Sequence, residues 1–206
     1  SSVTGVQTCA LPISPHPLVL ASKSASRRAL IEAAGVPAEI RPADIDERGI
    51  EERAGLTDPG EAAALLAREK AKAVAKELPG RYVLGADQTL ALGTRRFSKP
   101  KDRAAAADQL RTMRGQMHAL HSALAVAKDG AIVFECIDVA RLTMRNFSED
   151  FLQAYLDAVG PLVTTSVGAY QLEGAGIQLF DKVEGHHSTI LGLPLLPLLA
   201  WLRQAG

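Results

Sequence analysis

Leu18-Val19-Leu20-Ala21 is followed directly by Ser22-Lys23-Ser24-Ala25-Ser26-Arg27-Arg28. The four apolar residues predict a short buried strand, and the residues from Arg27 to Gly35 predict a helix that ends at a glycine. A strand that leads straight into a helix is the repeating unit of α/β proteins. The rest of the chain continues this alternation, so the sequence predicts an α/β domain.

The elements beyond this unit are predicted from apolar runs, caps and turn residues. Further strands are expected at 38–41, at 82–86 ending on Asp87, and at 120–126, 131–144 and 177–183. Helices are expected to begin at Asp58, Asp102 and Ser148, and a closing helix is expected at 195–202. Asp129-Gly130 is a hairpin signal between two of the strands. A polar loop is expected to carry Asp44, Asp46 and Glu47.

Composition excludes several classes of protein. Lys plus Arg and Asp plus Glu both number 23, whereas nucleic-acid binders that neutralise phosphates usually carry a basic excess. The longest apolar runs are shorter than the roughly 20 residues of a membrane-spanning helix. The two cysteines, Cys9 and Cys136, have no motif partner, which favours a reducing compartment. We therefore expect a cytoplasmic protein that binds neither nucleic acid nor membrane.

Residues 1–14 read SSVTGVQTCALPIS and differ in character from the rest of the chain. They lack the basic start and the apolar core of a signal peptide. The run Val3 to Ile13 resembles the translation of a sequencing-library adapter. We expect residues 1–14 to be a non-native leader and residues 15–206 to form a single domain.

The loop from Ser22 to Arg28 is the first candidate for chemistry. Backbone N–H groups at the start of a helix can bind an anion, Ser22, Ser24 and Ser26 add hydroxyl groups, and Arg27 adds a fork of donors that suits phosphate. The loop lacks the glycines and the Gly-Lys-Ser/Thr ending of a P-loop. The alternative is a serine-capped helix with solvated arginines.

Asp87 and Glu47 are candidates for metal binding and proton transfer. A carboxylate at the end of a buried strand, as expected for Asp87, can bind Mg²⁺ or take a proton from water. The adjacent pair Asp46 and Glu47 has a role only if its loop faces Asp87. The alternatives are a capped turn for Asp87 and solvated surface for the pair.

Lys70 and Lys99 are candidates for binding phosphate. Lys70 interrupts an apolar helix face formed with Leu66 and Val74, so it either reaches water or enters a polar cleft. Lys99-Pro100 follows a short hairpin and is weak evidence by itself. The histidines match no zinc spacing, and we expect them to be structural or on the surface.

The order of these segments resembles the Maf family of nucleoside triphosphate pyrophosphatases over residues 18–202. The matching motifs, in chain order, are Leu20 to Arg28, Asp46-Glu47, Lys70-Ala71, Gly85-Ala86-Asp87-Gln88, Ser98-Lys99-Pro100, Gly115 to Ala123, Gly168 to Gly174, and Gly192-Leu193-Pro194. The chain departs from the family at Ala25 and Ser26 in the opening loop, at Ser98, Ser122 and Ala123, and at Thr165-Ser166. The ordered set is specific, although each motif alone is weak.

The resemblance implies a fold like that of Maf proteins and inosine-triphosphate pyrophosphatases, with a mixed sheet, helices and two lobes around a cleft. It also implies house-cleaning of non-standard nucleotides, in which water attacks the α-phosphorus and pyrophosphate is released. Arg27, Lys70 and Lys99 would hold phosphates, while Asp87 and Glu47 would bind Mg²⁺ or Mn²⁺ or activate water. The resemblance leaves a homodimer open as the assembly.

Two other functions stay open at this point. One is a non-catalytic regulator of septum formation and cell division that binds nucleotides or a partner protein. The other is the chemistry of the related inosine-triphosphate pyrophosphatase family, whose motifs fit less well. A retained Asp87 favours catalysis, because binding alone does not require a carboxylate poised for a metal.

Three residues suggest the base preference. Gln88 and Glu173, with the spacing of the opening loop, resemble the branch of the family that acts on 7-methyl-GTP. Ser26 stands where that branch has Trp, and a Trp face would add about 1–2 kcal/mol by stacking on a cationic base. The sequence therefore predicts 7-methyl-GTP-like or relaxed specificity, with thymidine and uridine triphosphates as poorer substrates.

Overall fold

The computed structural model describes residues 16–205. The predicted leader, residues 1–14, and Cys9 lie outside the described residues. Within the described range, no helix combines the length and the apolar character that crossing a membrane requires. The division of residues 15–206 into two lobes stays a prediction.

Strands and helices alternate along the chain, as expected of an α/β protein. The strands are β1 (Leu18–Leu20), β2 (Ala38–Ile40), β3 (Val83–Leu92), β4 (Arg95–Phe97), β5 (Met117–Lys128), β6 (Ala131–Met144) and β7 (Phe180–Glu184). The helices are α1 (Ala25–Ala33), α2 (Glu47–Ala54), α3 (Pro59–Ala75), α4 (Arg103–Met113), α5 (Glu149–Val159), α6 (His187–Ile190) and α7 (Leu195–Ala205). Three 3₁₀ turns lie between α5 and β7.

Helix starts follow the predicted caps, because each cap satisfies a backbone N–H that has no partner inside its helix. Asp58 accepts from the N–H of Glu61 at the start of α3. Asp102 and Ser148 cap α4 and α5 in the same way. The predicted starts of α3, α4 and α5 are therefore confirmed.

The seven strands of residues 16–205 all belong to one mixed sheet. Its order is β2-β1-β3-β5-β6-β7, with β4 paired to β3 at its far end. β1 is parallel to β2 and β3, whereas β3, β5, β6 and β7 pair antiparallel in turn. The predicted mixed sheet with helices is confirmed.

The two faces of the sheet carry different helices. The alanine-rich side of α3 packs on one face, against Val19, Val83 and Ala123. On the other face one apolar cluster around Leu84 contains residues of α1 and α7. A second cluster, around Leu90, contains residues of α4 and α5 and includes the 3₁₀ turns. Side chains alternate along a strand, so Leu84 and Leu90 share a face.

Three expectations about element bounds are wrong. Asp87 is not at a strand end, because β5 pairs with β3 from Val83 to Ala91 and keeps the strand extended through Asp87. Glu47 is not in a loop but is the first residue of α2, whose cap is Asp46. The strand expected from Ile177 begins at Phe180, because residues 175–179 form a 3₁₀ turn.

Candidate active site

The loop between β1 and α1 is shaped by its own serines. Ser24 caps α1 and accepts from the N–H of Arg27 at 3.4 Å. Ser22 is buried and accepts from the N–H of Ser24 at 3.2 Å. Ser26 is exposed in the first turn of α1. Helix capping and anion binding, the two roles considered for these serines, are therefore compatible. A serine that accepts a hydrogen bond as a cap can still donate its hydroxyl hydrogen to a ligand.

Arg27 is tied to three parts of the chain. Its Nε donates to the carbonyl of Gly192 at 2.8 Å, and its Nη1 donates to the carbonyl of Ala86 at 2.9 Å and to Ser22 Oγ at 3.3 Å. Burial lowers the pKa of Arg27 from its ordinary value, while the nearby carboxylates of Asp87 and Glu47 oppose this shift. The guanidinium is held in place by backbone oxygens, and Nη2 is the nitrogen that these bonds leave available for a ligand.

Lys70 lies between the two predicted carboxylates. Its Nζ is 2.7 Å from Oδ1 of Asp87 and 3.0 Å from Oε1 of Glu47. The Lys70 and Asp87 side chains are 11% and 14% exposed, whereas Glu47 is half exposed. Of the two alternatives for Lys70, the structure therefore shows the polar cleft. A buried ammonium group is stabilised there by two carboxylates.

Gly85 explains how Lys70 comes so close to β3. A Cβ atom at Gly85 would lie 2.1 Å from the carbonyl oxygen of Ala67 and 2.7 Å from the nitrogen of Ala71. Only glycine permits this approach of the α3 backbone to the strand. Lys70 lies between those two contacts in sequence, so the close packing brings its side chain to Asp87.

Lys99 lies where the cleft continues past Asp87. It is exposed, and within residues 16–205 it forms no hydrogen bond or ion pair. An adjoining cavity of about 610 Å³ is lined by Lys99, Asp87 and Arg96, and Arg96 donates to Glu51 at 3.0 Å. Lys99 is therefore available to bind an anion in the cleft beside Asp87 or in this adjoining cavity.

Gln88 and Glu173 lie at another part of the same cleft. Gln88 Nε2 donates to Ser122 Oγ at 2.8 Å and to the carbonyls of Thr189 and Ile190, both at 3.0 Å. Glu173 is exposed. Gln88 is thus fixed by the protein, whereas Glu173 is open to solvent.

One cleft of about 750 Å³ brings the ten predicted site residues together. They are Ser22, Ser24, Ser26, Arg27, Glu47, Lys70, Asp87, Gln88, Lys99 and Glu173. The volume lies within the usual range for small-molecule sites. Sequence reasoning missed the turn at residues 188–192, which supplies carbonyls to Arg27 and Gln88. Its only signal in the sequence was the motif Gly192-Leu193-Pro194, which by itself does not indicate a contact with Arg27 or Gln88.

The donor set suits a hard divalent cation that also binds substrate. Mg²⁺ is usually held by one or two carboxylates together with substrate phosphates. Asp87 and Glu47 supply two such carboxylates, and each lies within 3.0 Å of Lys70 Nζ. Among residues 16–205 there is no cluster of three His, Cys, Asp or Glu side chains that could hold a metal alone. The residues therefore fit a metal whose coordination is completed by the nucleotide and water.

A family model and two named relatives match nearly all of the described chain. A family model described as Maf-like protein matches residues 17–205. A nucleoside triphosphate pyrophosphatase of Rhodopseudomonas palustris is 59% identical over 191 residues, which cover 93% of this chain and 95% of that protein. A 7-methyl-GTP pyrophosphatase of Rhizobium etli is 50% identical and covers 92% of this chain and 96% of that protein. A solved HAM1 protein from Coxiella burnetii aligns with a TM-score of 0.44 and 18% identity, over 64% of this chain and 74% of that one.

Proposed function

The chain belongs to the Maf family, and we propose that it is a nucleoside triphosphate pyrophosphatase. Water attacks the α-phosphorus, and the bond from that phosphorus to the oxygen bridging the β-phosphorus breaks. The products are a nucleoside monophosphate, pyrophosphate and a proton that reaches solvent. The observation that carries the proposal is the convergence of carboxylates and cations in one cleft.

Charge neutralisation is the main demand of this reaction, because the substrate and the leaving pyrophosphate carry several negative charges. Arg27 offers Nη2 from a fixed guanidinium. Lys99 offers an ammonium group with no protein partner in residues 16–205. The Lys70 ammonium group has three N–H donors, and two of them are directed to carboxylates. The third can donate to a phosphate oxygen. These three cations are proposed to hold the triphosphate.

Asp87 is proposed to orient the attacking water and take its proton. Its Oδ1 accepts from Lys70, and no bond to Oδ2 occurs within residues 16–205. Asp87 and Glu47 would also hold Mg²⁺ or Mn²⁺ with the phosphates. When bound, the metal would supply further neutralisation of the triphosphate charge.

The base preference proposed is 7-methyl-GTP-like or relaxed. Gln88 and Glu173 both line the cleft, and a carboxylate such as Glu173 can accept from the N1 and N2 hydrogens of guanine or balance the charge of 7-methylguanine. Ser26 lacks the stacking face of a Trp, which corresponds to roughly five- to thirtyfold in affinity. We therefore propose weaker selection among purine nucleotides than in a chain that has the Trp.

A pyrophosphate-release assay over a nucleotide panel tests both proposals. The purified chain is incubated with 7-methyl-GTP, GTP, UTP and dTTP in Mg²⁺ or Mn²⁺, and monophosphate and pyrophosphate are quantified. We expect equimolar monophosphate and pyrophosphate, and a higher kcat/KM for 7-methyl-GTP or GTP. Release of single phosphate, or no turnover with any nucleotide, would contradict the reaction. A tenfold preference for UTP or dTTP would overturn only the base assignment.

A further inference from the structure

A row of three polar side chains crosses the sheet beside the cleft. Gln88 on β3 lies opposite Ser122 on β5, and Ser122 lies opposite Asp138 on β6. Paired residues share a face of the sheet, so the three side chains stand next to one another. The row separates the two apolar clusters of that face, since Leu84 precedes Gln88 by four residues and Leu90 follows it by two.

Thr189 of α6 covers this row. Its hydroxyl donates to Asp138 Oδ2 at 2.5 Å, and its carbonyl accepts from Ser122 Oγ at 2.7 Å and from Gln88 Nε2 at 3.0 Å. Ser122 and Thr189 are both 0% exposed. Buried polar groups of this kind are costly unless they are paired, and both buried hydroxyls, those of Ser122 and Thr189, have an acceptor here.

The network dictates the orientation of the Gln88 amide. The carbonyls of Thr189 and Ile190 can only accept hydrogen bonds, so the group that faces them must be the NH₂ of Gln88. Its Oε1 is then the atom left to interact with a ligand, and it can only accept. Gln88 therefore offers the nucleotide an acceptor for an N–H or O–H group.

The turn at residues 188–192, which contains Thr189, also holds Arg27. The N–H of Gly192 donates to the Thr189 carbonyl at 3.0 Å, and the Gly192 carbonyl accepts from Arg27 Nε. Gly192 has a φ of +94°, and a Cβ there would lie 3.2 Å from Arg27 Nη2. One anchored turn thus sets the position of two side chains that line the cleft.

We propose that Asp138 and Thr189 are positioning residues of the nucleotide site, acting through Gln88. The inference rests on the proposed function. Asp138 accepts a hydrogen bond from the Thr189 hydroxyl, and the carbonyls of Thr189 and Ile190 hold the Gln88 amide with its Oε1 toward the substrate. Asp87 and Lys70 meet on the α3 face of β3, opposite the row, and within residues 16–205 neither forms a hydrogen bond or ion pair with Gln88 or Thr189.

The kinetic consequence is a change in KM rather than in kcat. Thr189→Val removes the hydroxyl and keeps the shape of the side chain. Losing one buried hydrogen bond of this kind corresponds to roughly a tenfold rise in KM. We expect kcat to change by less than about threefold. Thr189→Ser keeps the hydroxyl and should recover most of the loss.

The experiment measures kcat and KM by pyrophosphate release for the wild type, Thr189→Val, Thr189→Ser and Asp138→Ala. Thr112→Val is the control for loss of a threonine hydroxyl, because the Thr112 hydroxyl donates to the Asp108 carbonyl at 2.8 Å on α4 and Thr112 does not line the cleft. Thermal unfolding of each variant identifies any that fail to fold. Asp138→Ala removes the acceptor of the Thr189 hydroxyl, so it tests the same hydrogen bond. It replaces Thr189→Val if that variant is unfolded.

A Gln88→Ala background separates positioning from a general structural effect. If the network acts through Gln88, Thr189→Val should raise KM much less in Gln88→Ala than in the wild type. The inference is overturned by an equal effect in both backgrounds, by a Thr189→Ser variant as impaired as Thr189→Val, or by a loss confined to kcat. An inactive wild type would instead refute the proposed function, so the two failures are distinguishable.

Discussion

Replacing Asp87 with Asn tests the charge at the centre of the cleft. Asn keeps the shape of the side chain and an oxygen that can accept from Lys70 Nζ, which is 2.7 Å from Asp87 Oδ1. It loses the negative charge and the ability to take a proton from water. We expect kcat to fall at least about a hundredfold, or about 2.7 kcal/mol of activation free energy.

The loss in the free energy of unfolding should be smaller than this loss of activation free energy. Removing the sole partner of a buried charge costs about 3–5 kcal/mol. Lys70 retains Glu47 at 3.0 Å, and that carboxylate is half exposed, so we expect Asp87→Asn to cost about 1–2 kcal/mol. For a chain of this size this corresponds to a fall in Tm of roughly 2–8 °C.

The assay combines pyrophosphate release at saturating nucleotide with thermal unfolding. Asp46→Asn is the matched control, because Asp46 is the neighbour of Glu47 but acts as the cap of α2, and Asn caps equally well. We expect the control to keep wild-type kcat and Tm. An Asp87→Asn variant with nearly full kcat would refute the reasoning and leave Asp87 with a structural role only.

Three further predictions rest on the same geometry. Glu47→Gln should lower kcat by about tenfold, less than Asp87→Asn because Glu47 is half exposed, and pyrophosphate release checks this. Gly85→Ala should lower the free energy of unfolding in urea by about 1–3 kcal/mol, since α3 must shift, whereas Gly174→Ala, with nothing nearer than 4.0 Å, should not. Burial lowers the pKa of His118 from 6.5 to about 4, so the unfolded chain binds a proton first as pH falls. The free energy of unfolding should therefore decrease between about pH 6.5 and pH 4, and His118→Gln should show a smaller slope over this range; equal slopes would contradict the assignment.

Local features of this protein were readable from the chain alone. The caps at Asp58, Asp102 and Ser148 and the hairpin signal at Asp129-Gly130 depend on contacts within a few residues. Such contacts form wherever the segment lies in the fold, so sequence specifies them directly. The α/β class follows from the alternation of these segments.

The sequence also predicted residues that the structure places in one cleft, but it did not predict their contacts. An apolar helix face interrupted by Lys70 left two alternatives open, water or a polar cleft. The choice depends on Gly85, which admits the α3 backbone to β3 and so brings Lys70 to Asp87. Asp87 was expected at a strand end because the sequence cannot show how far β5 pairs along β3.

The contacts decided only by tertiary structure are those that join distant segments. Arg27 meets the carbonyl of Gly192 across 165 positions of the chain, and the register of three strands aligns Gln88, Ser122 and Asp138. A one-residue shift in any pairing would turn a side chain of the row to the opposite face of the sheet. Sequence pattern therefore indicated which residues line the cleft, and strand register and close packing determined which atoms of those residues remain free to meet a ligand.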